Sequence, residues 1–369
     1  MIYLDHASAT PVMEPALEAM MHAARESWGN PASVHGAGRR ARAALDQARI
    51  AVADYLGCSH AELRWEPSGT AALGHALRFA LLHTRGPIVS SHLEHPAVRG
   101  PLEEVAKQGR EVRWLPLPAG EWEEAQATKY LEGAEVVALS AMNHELGTAP
   151  DLAPLLALAP RAWWVVDAVQ AAAWRDVRPL LEPRVFLACA SQKLGGPPGA
   201  AVVRVPPELA FSPAAGVAAA FEPTPGSPPW LAAIGMGAAC RERKALLPEG
   251  LPQVRARALR LLEVMGRACP ELVHNGGKSW LGPILDVSIP DIDARTMESA
   301  LDLRGICIAR TSACLQARVV ASPVVAEAFP EEPWRADTAL RWSLGLTTTD
   351  EDILQAVEAW RSALGELRP

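Results

Sequence analysis

Apolar positions fall along this chain in two different rhythms. From Val12 to Trp28 and from Gly36 to Gly57 they recur at helical spacing. In the second stretch Leu45, Ala48, Val52 and Tyr55 form one stripe, at intervals of three, four and three, and Gly57 marks the end. Thr10 and Pro11 are placed to cap and begin the first helix, with Pro15 in its first turn. The rhythm then changes. Short, unbroken apolar segments near 87–91, 112–117, 135–141, 162–168, 184–190 and 199–205 alternate with helical ones. Unbroken rather than alternating apolarity predicts strands buried on both faces, hence an α/β domain with a mostly parallel sheet. In such sheets functional groups gather where strands end.

A Pro-, Ala- and Gly-rich stretch over 206–229 reads as an irregular surface loop. Beyond 250 the order is helix, strand "PILDVSI", helix "DARTMESALDL", strands "GICIAR" and "ALRWSLG", and a last helix with Ile353, Val357, Trp360 and Leu364 on one face. Thr348 and Glu351 have the spacing of a capping box for that helix. This portion predicts a smaller α+β domain.

With 369 residues the chain is long enough for two domains. Its net charge of -7 is interspersed, without the basic stripe that binds nucleic acid. The opening "MIYLDHASAT" has no signal-peptide pattern, and no apolar run approaches membrane-spanning length, so the expectation is a cytoplasmic protein with no membrane partner. The cysteines at 58, 189, 240, 269, 307 and 314 lack CxxC or zinc-type spacing, so neither metal nor structural disulfides are expected.

Candidate chemistry begins with Lys193 in "ASQKLGGPPG". Only five of the 35 basic residues are lysines, so a lysine between an apolar strand and a glycine-rich turn points to a need for an amine nucleophile, against the plainer role of a strand-end side chain covering apolar surface. Asp167 ends the apolar run "AWWVVD", where a carboxylate needs a cation or strong donor; a protonated pyridine nitrogen would serve, as would a helix cap. Ser68, Gly69 and Thr70 open a helix and offer N–H groups to a phosphate. His95 follows another strand end, where it could stack on a flat ring or move protons. Together these are the requirements of a pyridoxal phosphate enzyme. GxGxxG and GxxxxGKS/T turns are absent, which removes the main support for dinucleotide and nucleotide binding.

The ordered motifs "YLDHASATP", "GNPASVHGAGRRAR", "SGTAALGHA", "EHPAV", "NHELG", "VDAVQ", "SQKLGGPPG", "SAC" and "RWSLG" resemble the cysteine desulfurases of the class V aminotransferase superfamily, over nearly the whole chain. The resemblance implies a fold-type I pyridoxal phosphate-dependent transferase. Its large α/β domain (12–240) would contain a mostly parallel seven-stranded sheet, and a smaller α+β domain would comprise 1–11 and 241–369. It also implies a homodimer that takes sulfur from L-cysteine, leaving L-alanine and a persulfide on Cys314, and hands the sulfur to an acceptor or scaffold protein, as in iron–sulfur cluster biogenesis.

By the same resemblance Lys193 would hold the cofactor covalently, Asp167 would pair with its ring nitrogen, Gln170 would touch its hydroxyl and His95 would stack on it. Gly69, Thr70, Ala71, Ser191 and Gln192 would surround its phosphate, with Ser227 as a stand-in for a ligand lent by the second subunit. Arg341 would grip the substrate carboxylate beside Asn143 and His144, the latter also at the cofactor. Departures from the pattern are Gln192 and Ala190, where the family has His and Ser, His144 for a usual Asn, and Ala72 for an acidic residue. Two alternatives stay open. "SQK" with "PPG" is also similar to alanine–glyoxylate aminotransferases, and the altered positions would suit a weakly catalytic relative acting as a binding partner.

Overall fold

The computed structural model describes residues 1–210, 229–311 and 321–368. Two expected site residues, Ser227 and Cys314, lie outside the described residues. The chain opens with β1 (Ile2–Tyr3), then α1 (Glu14–Glu26) and α2 (Gly36–Leu56). Next come β2 (Leu63–Glu66), α3 (Gly69–Leu82), β3 (Ile88–Ser90), α4 (Pro96–Lys107) and β4 (Val112–Trp114). β5 (Val136–Ser140), β6 (Trp163–Asp167), β7 (Val185–Ala190) and β8 (Ala201–Arg204) complete a seven-stranded sheet of order β2-β8-β7-β6-β5-β3-β4. β4, β3, β5, β6 and β7 run parallel; β8 pairs antiparallel with β7, and the edge strand β2, antiparallel to β8, returns to the common direction.

All six predicted strands are present, for the physical reason that predicted them. Val165 and Ala138 face α3 and α4 with Leu73, Leu77 and Phe79, while Trp164, Val166 and Val137 face the opposite layer with Val52 and Leu56 of α2. Alternate residues serve two dry faces, so every position must be apolar. β2 was not expected, because Arg64 and Glu66 interrupt its apolar pattern; Glu66 is buried against His75, with Nδ1 to Oε1 at 2.8 Å.

β9 (Val273–His274), β10 (Ile284–Ser288) and β12 (Ala339–Ser343) form a second, antiparallel sheet of order β12-β10-β9. β11 (Ile306–Cys307) pairs in parallel with β1, tying the N-terminus to this half of the chain. A 39-residue helix, Trp230–Ala268, packs first on α1 and α2 and then on the last helix, Asp350–Leu367. The boundary expected at 240/241 therefore falls within one continuous helix. The last helix buries Ile353, Val357, Trp360 and Leu364 as its stripe predicts.

Three local expectations are corrected. α1 begins at Glu14 without a side-chain cap. Thr10 instead joins the N-terminal segment to the lysine loop: its hydroxyl donates to Gln192 O (3.0 Å) and accepts from Gly195 N (2.9 Å). The capping box of the last helix lies one residue later, with Asp352 N donating to Thr349 Oγ1 at 3.1 Å and Thr349 N to Asp352 Oδ2 at 2.8 Å. Within the stretch expected to be irregular, Pro207–Ala210 form a short helix.

The long helix approaches α2 closely at Gly237, where an added Cβ would lie 2.7 Å from Ala48 Cα. Gly237→Ala should cost about 1–3 kcal/mol, because the obstacle is backbone and cannot rotate away. Gly365→Ala, exposed on the last helix with nothing within 4 Å of the new methyl, should stabilise by about 0.5–1 kcal/mol. Urea unfolding midpoints of the two variants should move in opposite directions.

Candidate active site

The carboxyl ends of the parallel strands deliver side chains to one cavity of about 190 Å³. Asp167 is the last residue of β6 and Ser140 the last of β5; Lys193 closes the turn Ser191–Lys193 that follows β7. His95 caps α4 just after β3, and Gly69 and Thr70 open α3 after β2. Gln170, His144 and Gln192 line the same cavity, and Arg341 enters from β12 of the other sheet. Residues separated by more than 270 positions thus converge because the sheets meet at the strand ends.

Glycine at position 69 brings the helix N-terminus close to the strand ends: a Cβ there would sit 3.0 Å from Val169 Cγ2 and 3.4 Å from Ala190 Cβ, a tight fit that would press on those methyls. Ser68 caps α3 by accepting Ala71 N–H at 3.1 Å. Ala71 is therefore spent on the cap and does not line the cavity, while the opening N–H groups of Gly69 and Thr70 precede the helical ladder.

Burial dominates the electrostatics. It raises the Asp167 carboxyl above its ordinary range against the opposing pull of Val169 N–H, His144 and Lys193. Asp167 Oδ1 accepts that N–H at 2.9 Å, so the carboxylate does meet a backbone donor, yet the group still faces the cavity. Burial, with His144 and Lys193, pushes the His95 imidazole down to about 3. Its Nδ1 accepts Ala97 N–H at 3.1 Å, so the neutral ring carries its proton on Nε2.

Next to this layer Glu94 is completely buried. Its Oε1 accepts Ser140 Oγ–H at 3.4 Å, Oε2 has no partner among the described residues, and burial pushes the group up to about 8.

The N-terminal segment forms the rest of the wall. Lys193 Nζ donates to Ala7 O at 2.7 Å and to Ser8 O, and Gln170 Nε2 donates to Ala7 O at 2.9 Å. Arg341, 1% exposed, donates from Nη1 to His144 O (2.9 Å) and from Nη2 to Asp5 Oδ1 (2.9 Å) and Ser8 Oγ (2.8 Å). Sequence reasoning assigned no role to Asp5, Ala7, Ser8, Glu94, Ser140 or Val169. The one available signal was the apolar run ending in Ser140, parallel to the run ending in Asp167.

Besides Ala71, two more expected residues stand apart from the cavity. Asn143 spends its side chain on backbone: Oδ1 accepts Glu145 N–H and Leu146 N–H, each at 2.9 Å, and Nδ2 donates to Leu93 O at 3.1 Å. Ser191 is fully buried, with Oγ unpartnered among the described residues. Behind His144, Glu145 accepts Thr311 Oγ1–H (2.7 Å) and Ser322 Oγ–H (2.6 Å). Burial alone would raise Glu145, but His144 and these two hydroxyls hold it down at about 2.

The profile of the aminotransferase class-V family matches residues 2–355. The chain belongs to that family. It is 27% identical over 372 residues to a putative cysteine desulfurase IscS 1 of Bacillus subtilis, covering 97% of each protein. To an IscS-like cysteine desulfurase of Mycobacterium tuberculosis it is 29% identical over 385 residues, covering all of this chain and 97% of the relative. A solved NifS-like protein superposes with a TM-score of 0.88 at 22% identity, covering 99% of both chains. These findings establish the fold-type I architecture that the sequence motifs implied.

The donor set fits the family cofactor, pyridoxal phosphate. An amine, a buried carboxyl, a neutral imidazole and a helix opening on glycine share one cavity. Among the described residues there is no cluster of His, Cys, Asp or Glu suited to a metal, and no helix is long and apolar enough to cross a membrane.

The buried acid beside Ser140 has a measurable consequence. Glu94 has a folded-state pKa raised from 4.5 to about 8, so its contribution to stability is complete below 4.5 and is lost as pH rises through about 8. Glu94→Gln should flatten the fall in unfolding free energy across that window, and urea titrations at several pH values check it.

Proposed function

We propose that this protein is a pyridoxal phosphate-dependent cysteine desulfurase, active as a homodimer, that converts L-cysteine to L-alanine and leaves the sulfur as a persulfide on Cys314. The supporting observation is the shared cavity of Lys193, Asp167, His95, Gln170 and Arg341, on a chain that aligns end to end with proteins named cysteine desulfurases. A sulfur-acceptor or scaffold protein would receive the sulfur, in the cytoplasm.

Pyridoxal phosphate, when bound, supplies an electron sink for bonds at the substrate Cα. Lys193 would hold the cofactor covalently and, once released, carry the Cα proton on Nζ. Asp167 would face the ring nitrogen, gaining the cation that its burial demands. Gln170 would meet the ring hydroxyl, and Gly69 and Thr70, with Gln192, would present donors to the phosphate. Arg341 would bind the substrate carboxylate with His144 beside it.

His95 has a narrower role than a general base. With Nδ1 engaged by Ala97 N–H and the ring neutral, it offers a ring face and an Nε2–H, which can hydrogen-bond a lone pair of the substrate sulfur and orient it for attack. The Cys314 thiolate would then form an S–S bond as the Cβ–S bond breaks, the substrate carbon keeping the electron pair. Neighbouring groups must activate that thiol, because neutral thiols attack poorly.

The alternative aminotransferase reading has its support in Gln192, and Cys314 separates the two. Cys314→Ser should still bind L-cysteine with a change in the cofactor's visible spectrum, but should form no persulfide and release sulfide at least about a hundredfold more slowly. Mass spectrometry of the wild-type protein after L-cysteine treatment should find one added sulfur on the Cys314 peptide; its absence despite the spectral change would count against desulfuration. Lys193→Ala should remain folded and lose the visible cofactor band and any borohydride-reducible adduct. Retention of that adduct would refute the lysine assignment.

A further inference from the structure

A buried polar layer lies behind Arg341, and the reaction proposed above does not use it. The register of β10 and β12 places Asp286 directly opposite Arg341, so the two side chains leave the same face of the sheet. Asp286 is completely buried and does not line the cavity. Its Oδ1 accepts Asn275 Nδ2–H at 2.6 Å; Asn275 also donates to Ser288 Oγ at 2.8 Å and accepts from Arg335 Nη1 at 3.3 Å.

Two atoms are left over. Asp286 Oδ2 and Arg341 Nε are both out of contact with solvent and have no partner among the described residues. One is an acceptor and the other a donor, on residues paired across adjacent strands. Burial is the strongest influence on Asp286 and, helped by Glu145 from the loop after β5, pushes its carboxyl up to about 8 against the pull of Asn275 and Arg341. The Arg341 charge is already shared with Asp5 at 2.9 Å.

We propose that Asp286 is a positioning residue for Arg341: while uncharged, it leaves the guanidinium to direct its charge at a carboxylate in the cavity, and its ionisation draws Nε–H back toward Oδ2 and weakens that grip. The inference rests on Arg341 as the substrate-carboxylate ligand. The proton lost from Asp286 goes to solvent, and the positive potential available to an incoming carboxylate falls. Affinity for a carboxylate ligand therefore declines as pH rises through the titration of Asp286, whereas affinity for the same ligand without its carboxylate does not.

The test measures binding of L-alanine and of L-alaninamide to the cofactor-loaded protein from about pH 7 to about pH 9. Wild type should lose about tenfold in affinity for L-alanine relative to L-alaninamide across that range. Asp286→Asn, whose amide oxygen can still accept from Asn275, should lose almost none. An equal loss in both proteins, or no loss in wild type, overturns the proposal. A second reading needs no substrate: the Arg341 Nε–H resonance, assigned by its disappearance in Arg341→Lys, should shift with pH in wild type and stay fixed in Asp286→Asn. If the loaded protein fails to bind L-alanine at all, that counts against the desulfurase reading, and the resonance alone decides the role of Asp286, an invariant signal in wild type refuting it.

Discussion

The site is held together by one buried cation. Arg341 binds Asp5 and Ser8 of the N-terminal segment, the backbone of His144 in the loop after β5, and by strand pairing the second sheet. A guanidinium this deeply buried is tolerable only while its partners stay in place, since removing one leaves an uncompensated charge. The cavity walls are therefore coupled: the segment whose Asp5 binds Arg341 also brings Ala7 and Ser8 to Lys193, and Thr10 carries it on to the lysine loop. The ion pair acts beside backbone hydrogen bonds of the same segment, from His6 N to Ser343 O at 3.2 Å and from Leu4 N to Cys307 O at 2.9 Å.

Four buried carboxyl groups lie in or next to the site, and their conditions differ for visible reasons. Glu145 has two hydroxyl donors and a neighbouring imidazole and is ionised. Glu94 and Asp286 have weak or single donors and no paired cation among the described residues, so burial keeps their protons on through neutral pH. Asp167 lies between these cases, with one backbone N–H and an open side toward the cavity. It is the carboxyl whose state a cationic ring nitrogen would change most, because the others are walled off by protein.

The large sheet was legible in the sequence because burial on both faces leaves an unbroken apolar signature, as in Trp163 to Val166. The same signature located Asp167, since a carboxylate ending such a run stands out. β2 was not legible, because Glu66 is satisfied by His75, nine residues later, and a paired charge looks like a loop. Thr10 misled for a related reason: a hydroxyl before a proline has the pattern of a helix cap, and only tertiary structure offered it a better partner in the lysine loop. The layer of Glu94, Glu145 and Asp286 could not be read at all. Each residue lies in an ordinary amphipathic context, and its meaning comes from what the other sheet places beside it.

Two of the four departures from the desulfurase pattern sit together beside the lysine turn, while His144 lines the cavity by Arg341. Ala190 and Gln192 flank the lysine turn toward α3, where the Ala190 methyl packs close to Gly69 and helps set the helix opening against the strand end. Lys193, Asp167, Gln170 and His95 keep the residue types that ring chemistry needs. In the proposed function, a substitution that trades a hydroxyl for packing at the phosphate end would alter how firmly an anion is held, whereas the electron sink would depend on the carboxyl of Asp167. The two demands are separable, and in the proposed function the changes at 190 and 192 fall on the one that binding energy from neighbouring N–H groups can offset.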